Sequence, residues 1–201
     1  MKTDASGTVA ADKPVRRRVR LDPVVRRQQI VAQATRLIAH SGFNAVSLAD
    51  IANACDIRKS SVLHYFPSMK ALLVAILEQR DESDFKEEQS LGNLTVTASE
   101  ARAGLTARFA GNLEQLEILR LFHVLAAEAL TPEHPAHDYF RIRSQRAKSS
   151  LAQVLAWKAN TDAAALELLA FWQGLEMQWL IDPQADVLSA WHNFADRFFS
   201  S

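Results

Sequence analysis

The chain has a single cysteine, Cys55, among 201 residues. One thiol cannot form an internal disulfide, so no cross-link staples this fold, and a reducing cytoplasm fits it. No stretch approaches the about 18 consecutive apolar residues of a membrane-spanning helix. The start at Met1 is polar and basic, without the apolar core of a secretory leader. No membrane partner is therefore expected, and the expected location is cytoplasmic. Also missing are a glycine-rich phosphate loop, a cysteine cluster and a Ser/His/Asp set, so nothing suggests an enzyme or a cofactor. There is no internal repeat and no low-complexity tract.

What is present suits a folded, two-part protein. Hydrophobic residues make up 48% and charged residues 23%, which excludes a disordered chain. The formal net charge is zero, yet the charges are segregated. Residues 1–70 hold 12 Lys and Arg against 5 Asp and Glu, a net of +7; residues 71–201 hold 11 against 18, a net of −7. A basic head suits a polyanion, and an acidic body does something else.

Residues 1–20 lack an apolar period and read as a disordered basic arm. The arm ends in Arg16-Arg17-Arg18-Val19-Arg20. Arg17 and Arg18 are candidates to grasp phosphate just ahead of the first helix. From there the period is helical throughout. Asp22-Pro23 is a start signal, and Gly42 a stop. Ser47…Asp50 forms a capping box in which Asp replaces the usual Glu; the helix it opens ends near residue 54. A break at Asp56-Ile57 precedes a short helix over 58–65, and Pro67-Ser68 opens a long helix running into the 80s. Residues 90–99 read as a loop. The second half predicts five helices, near 100–112, 115–130, 135–158, 162–181 and 185–199, with a second capping box at Thr97…Glu100. The fold class is thus all-α, with an N-terminal helix-turn-helix domain over 21–67 and a second helical domain over 68–201.

Two short helices joined by a tight turn and held on a third form a helix-turn-helix. One helix enters the major groove and the one before it braces it. Small Ala52 and Ala54 permit close approach, while Ile57 and Val62 anchor the helix over 58–65. Lys59, Ser60, Leu63 and His64 are left to face outward.

These residues resemble the tetracycline-repressor (TetR) family of bacterial regulators. The likeness runs through Ile30-Val31-Ala32-Gln33-Ala34, Ser41-Gly42-Phe43, Ser47-Leu48-Ala49-Asp50-Ile51-Ala52, Ile57 to Ser68, and Ala71-Leu72-Leu73. The resemblance implies an all-helical homodimer that reads a palindromic double-stranded DNA operator. It puts Lys59, Ser60, Leu63 and His64 at groove-facing positions, and makes Ser47, Ser61 and Tyr65 phosphate contacts. Three residues depart from the family pattern. Asp56 holds a turn position usually given to glycine, and Asp tolerates left-handed backbone better than most residues. Leu63 replaces a tyrosine. Met69 replaces a phosphate-gripping lysine, and adjacent Lys70 is the candidate to supply that charge.

Glu128, His134 to Phe140 and Gly174 to Pro183 resemble the C-terminal domain of one subgroup of the same family. That likeness implies a small-molecule effector pocket in the middle helices and dimerisation through the last two. Phe109, Leu113, Leu116, Leu119, Phe122, His123 and Trp172 are the pocket candidates, though each also reads as ordinary core. Leu168, Phe171, Leu175, Trp179, Leu188, Trp191 and Phe194, at three- and four-residue steps, are the dimer candidates. His134 and His137 have a metal-like spacing beside Glu133 and Asp138, but capping and surface hydrogen bonds explain the pair, so no metal is expected. The function expected is a repressor released by an effector. An activator or corepressor-dependent regulator of the same fold remains open, as does a helical protein–protein adaptor.

Overall fold

The helices begin where capping residues place them. The computed structural model describes residues 22–79 and 97–200 and shows no strand among them. The basic arm with Arg17 and Arg18, the continuation of the long helix into the 80s, and residues 90–96 of the loop expected over 90–99 lie outside the described residues, while Ala98 and Ser99 of that loop are helical instead.

Helix α1 spans Pro23–Ser41; the Asp22 side chain accepts from the Val24 amide at 2.8 Å, with proline in the first turn. Gly42 ends it at φ +81°, a conformation cheap only for glycine. Helix α2 spans Leu48–Ala54 and α3 Lys59–Tyr65, while α4 is described over Met69–Gln79. Both expected capping boxes form: Ser47 with Asp50, and Thr97 with Glu100. The second opens α5, Ala98–Leu113. Then follow α6, Leu116–Glu128, α7, His137–Val154, α8, Thr161–Ile181, and α9, Val187–Phe199.

Helix α7 is shorter than the sequence predicts. At its start, the amide of Ala136 donates to Nδ1 of His134 at 3.2 Å and holds the chain in a turn. At its end, Lys158 N–H closes a turn on the Leu155 carbonyl, and Asn160 caps α8 through the Ala163 amide. His134 and His137 serve the α6–α7 turn as expected, His137 Nδ1 lying 2.8 Å from the Ala129 carbonyl. His134, however, is buried rather than at the surface.

Two apolar clusters form the core. The first joins α1–α4 to Leu121, Leu125, Ala129 and Ala136. Packing therefore does not break at residue 67: α4 and one face of α6 complete the core of the head. The second cluster joins α5, α8 and α9 around Phe109, Leu168, Trp172 and Trp191. Helix α6 lies between, against both α1 and α8.

Candidate nucleic-acid interface and the body behind it

The α2–α3 pair has the geometry that groove reading requires. Val62 is fully buried, and Ile57 packs on the same cluster. Ala52 is buried between the helices; Ala54 is exposed, so only one of the two alanines serves close packing. Asp56 takes φ +52° in the turn, the left-handed conformation that Asp tolerates better than most residues. Lys59, Ser60, Leu63 and His64 are all exposed. Seven residues at 1.5 Å each give α3 a length of about 10 Å, short enough to lie in a major groove.

The phosphate candidates differ among themselves. Ser61 and Tyr65 are half-buried; the Tyr65 ring packs on the head core and meets His64 edge-on at 5.3 Å. Ser47 is exposed, but its hydroxyl donates to Asp50 at 2.6 Å, as does its amide at 2.9 Å. Those bonds hold the Asp50 carboxyl below its ordinary range. A phosphate at Ser47 would have to share that hydroxyl and tolerate that charge. Lys70 is exposed and borders a crevice of about 230 Å³ between α4 and Pro135 and Tyr139. Cys55 is buried beneath the site, its sulfur 4.0 Å from the Gln29 carbonyl, and burial raises its pKa.

The seven pocket candidates do not converge on one cavity. Phe109, Leu113 and Trp172 belong to the second core cluster. Phe122 packs on the first, beside Tyr139 and Phe140, with Arg143 4.9 Å over its ring. Leu119 is buried, whereas Leu116 is 39% exposed. His123 sits 3.1 Å from a carboxylate the sequence reading passed over, that of Glu176. Glu176 also accepts from Asn112 at 2.8 Å and from the Trp172 indole at 2.6 Å, and is itself 5% exposed. The signal for it was present: Glu176 follows Leu168 and Trp172 at four-residue steps and so shares their inward face.

The dimer candidates differ in exposure. Leu168 and Trp191 have no exposed surface, and Phe194 is 7% exposed, so these three pack chiefly within the core of one chain. The Trp191 indole donates to Thr106 at 2.9 Å and its ring stacks on Phe109. Phe171, Leu175 and Trp179 are half-buried in the same cluster. Of the set, Leu188 alone is markedly exposed, at 41%. The large side chains of α8 that do reach the surface are Leu166, Met177 and Ile181. No single described helix is long and apolar enough to cross a membrane.

Residues 30–76 match the family model for bacterial regulatory proteins of the tetR family. An uncharacterised HTH-type transcriptional regulator of Bacillus subtilis, YuxN, is 38% identical over 56 residues. That match covers 28% of this chain and 19% of that protein, and lends no argument about the remainder of either. A TetR transcriptional regulator from Legionella pneumophila superposes with a TM-score of 0.72 at 20% identity, covering 89% of this chain and 98% of that one. A TetR transcription regulator from Haloarcula marismortui does so at 0.73 with 14% identity, covering 88% and 97%. At such identities these likenesses show the fold alone, and they show it over nearly the whole length.

Proposed function

Because the chain belongs to the tetR family of bacterial regulatory proteins, and so is a DNA-binding transcription regulator rather than an enzyme, we propose that it acts in the cytoplasm as a homodimeric repressor released from a palindromic operator by a small molecule. The observation that carries the reading is the outward face of α3. Lys59, Ser60, Leu63 and His64 are exposed together on a helix anchored from behind by Val62. Lys59 donates to guanine O6 or N7, and Leu63 packs on a thymine methyl. Arg17, Arg18, Ser61, Tyr65 and Lys70 supply phosphate contacts, which position without specifying.

The division of labour is a head over 21–67 and a body over 68–201. A palindromic site needs two heads, hence a dimer whose recognition helices sit about 34–36 Å apart, one DNA turn, or a multiple of it. Effector bound among α5–α8 lowers operator affinity by favouring another spacing, and operator lowers effector affinity by the same factor.

Selection from a random duplex library tests the reading, followed by titration against the selected site at several salt concentrations. An inverted repeat and a steep fall of affinity with salt are expected. Failure to enrich any sequence would overturn it and favour the adaptor reading.

A further inference from the structure

His134 is buried at the joint between head and body, and groove reading makes no use of it. Its ring meets Phe43, in the turn that ends α1, edge-on at 5.3 Å. The Ala136 amide donates to Nδ1 at 3.2 Å, so the neutral ring carries its proton on Nε2. That N–H is buried and has no hydrogen-bond partner among the described residues. It lies 4.0 Å from Oε2 of Glu128, too far for a bond. The same oxygen accepts the Phe43 amide at 2.8 Å, and Oε1 lies 3.5 Å from the Asn44 amide. A buried donor left unpaired costs stability, and an apolar ring would fill the place without that cost. What sets histidine apart is a charge that changes between about pH 5 and pH 8. A proton added to His134 goes to Nδ1, the ring nitrogen that carries a lone pair. There it stands donor to donor against the Ala136 amide, and that bond is lost. The charged ring also gains a strong attraction for the Glu128 carboxylate. The other charged groups about the joint, among the described residues, are spread over three elements. The turn holds exposed Glu133; α7 opens with His137, tied to the Ala129 carbonyl, and with Asp138, paired with Arg141. From the head, α1 ends near exposed His40, and α4 brings Lys70 and Glu78 to neighbouring Pro135.

We propose that His134 is a proton-sensitive latch between the body and the DNA-binding head. With a neutral ring, Glu128 holds the turn at Phe43 and Asn44 against the end of α6. With a protonated ring, His134 leaves Ala136, closes on Oε2 and draws the carboxylate off both amides. The turn from α1 into α2 is then no longer fixed to α6 at this point, and α2 carries the recognition helix with it. Acid thereby loosens the head from the body with no ligand larger than a proton.

The test is nuclear magnetic resonance of the full chain, without DNA, from about pH 8 to about pH 5. Protection of the Phe43 amide from hydrogen exchange, relative to its intrinsic rate, is expected to fall about tenfold. The fall should follow protonation of the His134 ring and not that of His40 or His137. His134→Asn keeps an acceptor for the Ala136 amide and has no titrating ring, so its Phe43 amide should stay protected throughout. Unchanged protection while the His134 ring takes up its proton, a His134 ring still neutral at about pH 5, or the same loss in His134→Asn would each overturn the proposal. If His134→Asn does not fold, the match between ring and amide in the wild type still decides. The consequence for DNA is read from one comparison: operator affinity should fall more steeply on acidification in the wild type than in His134→Asn. His64, on the groove face, is common to both proteins and cancels. Parallel losses would overturn the claim that the latch acts on the head's hold on DNA. Should no operator be selected, the repressor reading fails, while the amide measurement still decides the latch.

Discussion

The carboxylate of Glu128, the last residue of α6, accepts the backbone N–H of Phe43 at 2.8 Å, although 85 residues separate them. Its second oxygen lies 3.5 Å from the Asn44 amide. The turn that ends α1 is thereby held by the body as well as by the Gly42 amide, which donates to the Ile38 carbonyl. Farther back on the same helix pair, Arg36 meets Glu117 at 3.1 Å, both exposed; that pair adds little. The buried His134 ring meets Phe43 edge-on at 5.3 Å, and its Nε2 lies 4.0 Å from the same Glu128 carboxylate.

Glu128→Ala is expected to destabilise the chain by about 1–3 kcal/mol, because two amides lose a charged acceptor. Gly42→Ala should also cost stability: its φ is +81°, and an added Cβ would lie 2.6 Å from Glu128 Oε1. Only the second of these effects depends on Glu128, so the double variant should be less destabilised than the sum of the singles. Urea unfolding of the four proteins measures this. Strict additivity would mean that Glu128 yields to the new methyl without loss.

Asp56 is the only non-glycine residue at positive φ among the described residues. Asp56→Gly should therefore be neutral or stabilising by up to about 1 kcal/mol, relief of strain competing with the added freedom of the unfolded chain. Asp56→Val, with a branched side chain in the same conformation, should lose more than about 1 kcal/mol and loosen α3. Melting temperatures with and without DNA separate the two. A stable, DNA-binding Asp56→Val protein would show that the turn is not held left-handed in solution.

The groove-facing assignment also predicts a contrast between residues. Lys59→Ala should cost about 1–3 kcal/mol at the operator and blur one or two base pairs. Lys70→Ala should weaken all sequences alike and flatten the salt slope by about one unit. Binding-site selection with each variant is the measurement. Unchanged preference in Lys59→Ala would remove α3 from the groove.

Local signals in the sequence were dependable here, and distant ones were not. Asp22, Ser47 and Thr97 cap helices through bonds that span two or three residues, so the residue types alone place them. The apolar period likewise exposes the outer face of α3, because Val62 leaves one side for the core. Helix α8 defeated the same reasoning: its apolar residues fall on more than one face, and periodicity cannot say which of them is inside. Its inward face took Leu168 and Trp172, and its outward face kept Leu166 and Met177. Glu176 was missed because a glutamate reads as surface, and the hold of Glu128 on Phe43 spans a distance no local pattern encodes.

The acid limit of stability follows from three capping carboxylates. Hydrogen bonds from Ser47, Thr97 and Ser189 hold Asp50, Glu100 and Asp186 below their ordinary values of 3.8, 4.5 and 3.8. A depressed folded pKa adds stability that is complete above the unfolded value and is lost as pH falls through the folded one. Stability should therefore decline on acidification below these ordinary values, and Glu100→Gln should flatten that limb by losing stability at neutral pH while changing little at the acid end. Thermal melts from about pH 3 to about pH 7 would show it. An unaltered acid limb in Glu100→Gln would mean that the cap at Thr97 is frayed.

The outward side of α8 sets the last prediction. A large apolar stripe left on the outside of a helix is normally covered by a partner. Leu168, Trp172 and Leu175 meet their own chain, whereas Leu166 at 55%, Met177 at 39% and Ile181 at 71% exposure do not. Ala163, Leu166, Ala170, Met177 and Ile181 share one face, at steps of three, four, seven and four residues, and Leu188 of α9 is also exposed. The alanines let a second helix approach closely. A twofold partner presenting the same stripe would cover all of it and build four helices around the axis. Leu166→Glu and Met177→Glu should then yield folded monomers, each placing like charges at the seam. Trp191→Phe should behave differently, losing its Thr106 bond and stability while remaining dimeric, because Trp191 is wholly inside one chain. Sedimentation equilibrium at micromolar concentration distinguishes these outcomes. A dimer that survives both charged substitutions but dissociates in Trp191→Phe would place the interface elsewhere and restore the aromatic face as its source.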